Sequence, residues 1–340
     1  MHRSKPDTYQ PPYPAFQQDQ APAQPDFVMA MLGIQSGSKT DVSAIKSALL
    51  ELCRSQEAGT PAHMEAASHV DAQGCRNDVF MPYWKTKSDM GTFFARADVA
   101  ALLMQPLTGD IGLWAERLAA PTTSLDANNA RPDVRYGIAR YSSPREEQYH
   151  SYMGSMRDRV PDYLAGKANG EKTGLSPQPA VQSAGRVLAI QNLPHNVCFI
   201  RGAFSWQEAD DVEQSAFMNK MMPVYREGAE YLRDNPVESG CISMRMADSV
   251  QLDEDNGLQS EILGWFIRLE ELERWTRQHP RHLAIMKTIY GYMEEFAFKP
   301  KLHMGHEVVV VPQGQAQMIY NNCHPQTGFL PFFPADELTL

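Results

Sequence analysis

Short apolar runs and one-sided helical stripes alternate along this chain, and the same succession occurs twice. Residues 27–34, Phe-Val-Met-Ala-Met-Leu-Gly-Ile, read as a first buried strand. Ile45, Leu49, Leu50 and Leu52 then share one side of a helix whose start Asp41 or Ser43 can cap. A polar loop is expected from there to about Asp78. Residues 79–84 form a second strand ending in Tyr83 and Trp84, and Met90, Phe93, Phe94 and Ala97 lie on one side of the helix that follows.

The succession returns with a strand at residues 196–201, a long helix from about Gln207 to Arg233, and a strand at 262–267. Leu269, Leu272 and Trp275 mark a helix that Pro280 breaks. From His282 a further helix carries Ile285, Met286, Ile289, Met293 and Phe296 at helical spacing, with His282 on their face. A histidine on an apolar helix face is ordinarily a core residue bonded to backbone. His306 alters the weighing: it sits in a polar cluster, residues 301–307, just before Val308 to Val311, so two histidines can face one cavity. Met218, Met221, Met222, Met286 and Met293 read as adaptable core.

The two successions suggest an internal duplication, one of pattern more than identity: Pro82-Tyr83-Trp84-Lys85 with Phe93-Phe94 answers Leu263-Gly264-Trp265-Phe266 with Trp275. The fold class expected is α+β, two ferredoxin-like units whose sheets pack face to face as a dimeric α+β barrel, leaving a cavity between sheet and helices. The divisions are an extended N-terminal arm, 1–25, a first half, 26–120, a connecting segment, 121–185, and a second half, 186–340. Within the connection, residues 121–147 lack apolar periodicity and read as a long surface loop. Arg157 and Arg159 flank Asp158 just beyond it. That trio is either a solvated ion-pair loop or a guanidinium fork for a planar polar ligand.

Charge and cysteines narrow the function. A net charge of −10 argues against nucleic acid or an anionic membrane as the main partner. Residues 1–25 are rich in Pro, Gln and Tyr without an apolar core, which fits neither a signal peptide nor an anchor. The five scattered cysteines form no Cys-x-x-Cys pair, so a reducing, cytoplasmic setting is expected and zinc ribbons and covalent haem are not. Cys323-His324-Pro325 is too isolated to be a metal site alone. Ser205 and His195 lack a Gly-x-Ser-x-Gly elbow. Residues 253–257 resemble the start of a calcium loop but lack its closing Glu and read as a hairpin turn.

Gly154-Ser155-Met156-Arg157-Asp158-Arg159, Leu272-Glu273-Arg274-Trp275 with His279-Pro280-Arg281-His282-Leu283, His306-Glu307-Val308, and residues 322–328, Asn-Cys-His-Pro-Gln-Thr-Gly, together resemble the aldoxime dehydratases, haem enzymes that convert aldoximes to nitriles. The resemblance runs with gaps from about Tyr9 to Leu330. It implies haem b, ferrous in the active state, with His282 as proximal ligand and sole protein ligand of the iron. It places His306 as the distal general acid and base, Arg159 as the distal arginine, and a homodimer as the assembly. The substrate implied is an aldoxime bound through its nitrogen.

Two positions depart from the family pattern. Gly202 stands after Ile200-Arg201 where relatives carry a serine, and Ser205 is the nearest hydroxyl. The distal carboxylate has its closest match in Asp126, across a one-residue gap. A haem-binding or haem-sensing barrel without catalysis, or a barrel that binds a small apolar ligand, are the other readings. His306 with Arg159 separates catalysis from mere haem binding, and His282 separates both from the third.

Overall fold

Where the chain is apolar at nearly every position from 27 to 34, it forms a strand buried on both faces rather than one. In the computed structural model, which describes residues 2–19, 24–181, 183–252 and 257–338, the elements begin with β1 (Phe16–Asp19), β2 (Asp26–Ser36), α1 (Ser43–Arg54), β3 (His63–Val70), β4 (Arg76–Tyr83), α2 (Lys87–Ala95), α3 (Ala97–Met104) and β5 (Gly112–Pro121). The connection carries β6 (Leu125–Asn129), β7 (Ser143–Glu146), α4 (Ser155–Asp158) and α5 (Pro161–Leu164). Then come β8 (Val187–Ile190), β9 (Val197–Ser205), α6 (Asp211–Ala216), α7 (Met222–Asp234), α8 (Pro236–Ser239), β10 (Cys241–Val250), β11 (Ser260–Phe266), α9 (Leu269–Gln278), α10 (Pro280–Glu295), β12 (His303–Val311), β13 (Ala316–Asn321) and β14 (Asp336–Glu337). The turn expected at residues 253–256 lies outside the described residues.

All described strands join one antiparallel sheet in the order β14-β8-β13-β5-β2-β4-β3-β10-β11-β9-β12-β6-β1-β7. It is a mixed α/β architecture whose sheet is not closed by hydrogen bonds into a barrel. The sheet nevertheless curls hard. β4 and β12 stand five places apart, roughly 24 Å in a flat sheet, yet Tyr83 Oη donates to Glu307 Oε2 at 2.7 Å. Likewise Arg245 of β10 pairs with Glu116 of β5 (2.5 Å), and the Trp265 indole donates to the same carboxylate (3.0 Å). Arg201 of β9 meets Glu65 (2.5 Å) and Glu261 (2.7 Å) inside the curl. The concave side therefore holds buried charge, each ion satisfied by an opposite one, as burial requires.

Several sequence expectations change. The polar loop before Asp78 is in fact β3, which joins the two halves by pairing with β4 and β10; its polar Glu65 points at Arg201 rather than at water. β5 carries Glu116 and Arg117 mid-strand, which divide its apolar residues into two short runs, Leu113 to Ala115 and Leu118 to Ala120. The helix expected at 207–233 starts at Asp211, capped by Asp210, and is interrupted by a π turn at Phe217–Met221 before α7, where Pro223 lacks the amide that α-helical bonding needs. α1 begins at Ser43 without a side-chain cap, although Asp41 accepts from Ser43 N at 2.9 Å.

The connection is no surface loop at its core. β6 lies inside the sheet between β12 and β1, with Leu125, Asp126 and Ala127 fully buried. The arm continues the sheet through β1, which pairs with both β6 and β7. Helices α7, α9 and α10 cover the other face of β9 to β12, with α7 and α9 packed directly on the sheet and a cavity opening between the helices and the strands. Pro280 ends α9 and is the first residue of α10, which turns His282 and the stripe of Ile285, Ile289 and Met293 toward the sheet.

Candidate active site

Strand alternation decides which residues of β9 reach this cavity. Ile200, Gly202 and Phe204 line it, while Arg201 and Ala203 face the concave interior. Ser205 shares the parity of Arg201 and is absent from the cavity wall, so the structure does not bring it to the site. On β12, Met304, His306 and Val308 line the cavity, and Glu307 points the other way to Tyr83. Burial pushes the Glu307 carboxyl up to about 7 against the pull of Arg201. It is a sequence neighbour of His306 on the opposite face.

The cavity measures about 440 Å³, within the roughly 300–1,000 Å³ typical of cofactor and small-molecule sites. Its walls are mostly apolar, from Leu232 on α7, Trp275 on α9, Ile285 and Met286 on α10 and Ile262 on β11. His282 lies in one wall and His306 in the opposite strand wall. The His282 ring meets Trp275 edge-on at 5.9 Å. Its Nδ1 is buried with no hydrogen bond of ordinary geometry. Burial pushes its pKa down to about 4, with the Thr276 backbone pulling the other way. A neutral imidazole fixed on a helix in an apolar wall is the state a metal requires of a histidine ligand, so these residues fit a haem held by one axial histidine.

Opposite stands a polar triad. Asp126 on β6 is fully buried and grips Arg159 bidentately, Oδ1 to Nε at 2.8 Å and Oδ2 to Nη2 at 2.6 Å. His306 Nε2 lies 2.9 Å from Asp126 Oδ2 and 3.3 Å from Arg159 Nη2. Arg159 Nη1 also donates to the Tyr149 carbonyl at 2.9 Å. Burial would raise the Asp126 pKa, but the Arg159 and His306 charges and hydrogen bonds outweigh it and bring it down to about 2. The carboxylate is ionised at any working pH. Gln17 of the arm, with its amide turned to satisfy both neighbours, donates to Asp126 Oδ1 (2.9 Å) and accepts from Ala127 N (3.0 Å).

The structure thus gathers Asp126, Arg159 and His306 at one end of the cavity and His282 in its helical wall. Sequence reasoning missed Gln17, Asn128 and His150, which belong to the arm and connection. His150 lines the cavity with its Nδ1 bonded to Ser151 Oγ (2.7 Å), beside a backbone held at φ 62° at Ser151. Burial, helped by Arg159, takes its pKa down to about 4. Asp71, Cys75 and His324 form a second cluster of metal-binding atom types. There the Gln326 amide donates to His324 Nδ1 (3.1 Å), leaving Nε2 to donate to Asp71 (3.0 Å). A ligating histidine donates from its other nitrogen; this one pins the C-terminal segment to the β3–β4 turn.

Asp126→Asn tests the triad by stability. It leaves the Arg159 cation buried without its counter-charge, an expected loss of about 3–5 kcal/mol measurable by urea unfolding at neutral pH. The wild-type carboxylate, ordinarily at 3.8, is held at about 2 when folded, a stabilisation of about 2 kcal/mol. Because its folded pKa is depressed, that stability is present above the unfolded pKa and disappears as pH falls from about 4 toward 2. A variant that loses no stability at neutral pH contradicts the buried pairing.

Residues 30–329 match the family described as haem-containing dehydratase. The phenylacetaldoxime dehydratase of Bacillus sp. (strain OxB-1) is 29% identical over 340 residues, covering 99% of this chain and 96% of that protein. The aliphatic aldoxime dehydratase of Rhodococcus globerulus is 30% identical over 339 residues, covering 97% of this chain and 94% of that protein. A crystal structure of an aldoxime dehydratase in complex with butyraldoxime superposes with a TM-score of 0.88 at 27% identity, over 98% of this chain and 93% of that one.

Proposed function

Since the chain belongs to the haem-containing dehydratase family, we propose that it is a lyase that removes water from an aldoxime, R-CH=N-OH, to give the nitrile R-C≡N, with haem on His282 and acid–base chemistry at His306. The observation that carries this reading is the Arg159–Asp126–His306 triad facing the same apolar cavity as His282. A haem carrier needs the axial histidine alone.

His282 would hold the haem, which when bound would supply an electron-rich iron to activate the oxime. The remaining work falls to the protein. Asp126 holds His306 through Nε2, so the ring nitrogen without a partner among the described residues is Nδ1. His306 gives its proton to the oxime hydroxyl, the N–O bond breaks with its electron pair leaving on oxygen, and water departs. The aldoxime C–H proton returns to His306 as the nitrile forms. Atoms and charge balance, and no net oxidation occurs. Arg159 fixes the carboxylate, and the apolar walls limit competing water.

The experiment is anaerobic incubation of the dithionite-reduced holoprotein with phenylacetaldoxime or butyraldoxime, followed by chromatography of the nitrile. Stoichiometric nitrile is expected; aldoxime recovered unchanged from both contradicts the reading.

The finer architecture is part of the same proposal. Residues 26–120 and 186–340 read as duplicated ferredoxin-like units, each with a β-α-β-β-α-β succession at its core, β2 to β5 in the first and β9 to β12 in the second. Supporting this, the strand orders β5-β2-β4-β3 and β12-β9-β11-β10 are equivalent, the fourth, first, third and second strands of each unit. A dimeric α+β barrel and a homodimer follow the resemblance. The five cysteines, all free, support a reducing, cytoplasmic setting, and no helix among the described residues is long and apolar enough to cross a membrane.

A further inference from the structure

A row of side chains crosses the sheet through His306: Ile262 on β11, Gly202 on β9, His306 on β12, Asn128 on β6 and Gln17 on β1, each opposite the next in register. Directly opposite residues of an antiparallel sheet project to the same face about 4.5–5.5 Å apart. Gly202 and Asn128 therefore flank the histidine on its two sides. The Gly202 flank is apolar. It has no side chain, and a Cβ built there would lie 2.8 Å from Ile262 Cγ1, so Ile262 occupies the space.

The other flank carries an amide that nothing fills. Asn128 lines the cavity, and its Nδ2 is buried without a partner. Its outer neighbour Gln17 is already engaged with Asp126 and the Ala127 amide. Arg159 is likewise spent on Asp126 and the Tyr149 carbonyl. Buried polar groups in folded proteins are normally hydrogen-bonded, and leaving one unmade costs stability. A donor left open beside a general acid, inside a cavity, is where a ligand oxygen belongs.

We propose that Asn128 is a substrate-binding residue whose side-chain amide donates a hydrogen bond to the oxime oxygen beside His306. This rests on the aldoxime reading given above. The amide is neutral and exchanges no proton, so its role differs from that of His306. It orients the N–O bond toward the acid and stabilises negative charge developing on the departing oxygen. Loss of the amide should weaken both ground-state and transition-state interactions, whereas the pH dependence set by the acid should stay.

The test titrates butyraldoxime into dithionite-reduced holoprotein by the Soret band and measures nitrile formation across pH, for wild type, Asn128→Ala and Asn128→Ser. Asn128→Ala should bind aldoxime roughly tenfold more weakly and lose about a further threefold or more in turnover, with unchanged haem content and an unchanged pH midpoint. Asn128→Ser, which keeps a shorter donor, should recover part of the loss and covers the case in which the alanine variant fails to hold haem. Binding and turnover of Asn128→Ala within about twofold of wild type overturn the proposal, as does a moved pH midpoint with unchanged binding. Wild type that binds aldoxime without forming nitrile contradicts the dehydratase reading and leaves the binding comparison to decide on Asn128. Wild type that binds no aldoxime overturns both.

Discussion

Replacing His282 with alanine is expected to remove haem from the purified protein and reduce nitrile formation to background. His282 is the histidine in the helical wall of the cavity, its pKa is pushed down by burial to about 4, and it is therefore neutral and ready to ligate. The variant should stay folded, because the stripe of Ile285, Ile289 and Met293 that docks α10 is untouched. Far-ultraviolet circular dichroism and haem content measured together separate ligand loss from misfolding. Imidazole added to the variant should restore a Soret band by entering the vacated place. Full haem content without added imidazole would mean that another residue holds the iron.

His306→Ala should keep haem and bind aldoxime while turnover falls on the order of 10²–10⁴-fold, the usual contribution of a positioned acid and base. The side chain is about a third exposed, 30%, so its removal opens little core. Asp126, held at about 2 by Arg159 and His306 against burial, is ionised throughout the range in which activity is measurable. Any acid limb near neutrality therefore does not come from that carboxylate in wild type. The variant should lose the pH dependence of turnover together with its rate. An equally steep profile in a slow variant would assign the proton to another group.

What was legible in the sequence follows the physics of each element. α10 announced itself because its apolar stripe has the helical period and Pro280 breaks the helix before it; the structure starts α10 at that proline, two residues before His282. β2 and the Val308 to Val311 end of β12 were plain because they are buried on both faces. β3 and β5 were hidden because each buries a carboxylate mid-strand, Glu65 and Glu116, which pairs with an arginine distant in sequence and interrupts the apolar pattern. The same applies to β6. Its Asp126 and Asn128 look like a polar loop until Arg159, thirty-three positions later, is seen to neutralise the carboxylate.

The candidate site was read most securely where a residue sits in a distinctive string, as His282, His306 and Arg159 do. Asp126 was placed by approximate alignment, and the structure puts it 2.9 Å from His306. Ser205 failed on parity, since three residues beyond Gly202 a strand side chain has turned to the opposite face. Asn128 and Gln17 could not be found from local sequence, because their position beside His306 depends on the register of three strands that are far apart in the chain.

The visible absorption spectrum of the purified, dithionite-reduced protein before and after addition of an aldoxime tests the central claim most directly. A cavity that places His282 against haem and His306 against the oxime predicts a Soret band at one haem per chain that shifts on addition of aldoxime. No Soret band after expression with ample haem, or a band that aldoxime leaves unmoved, would contradict it.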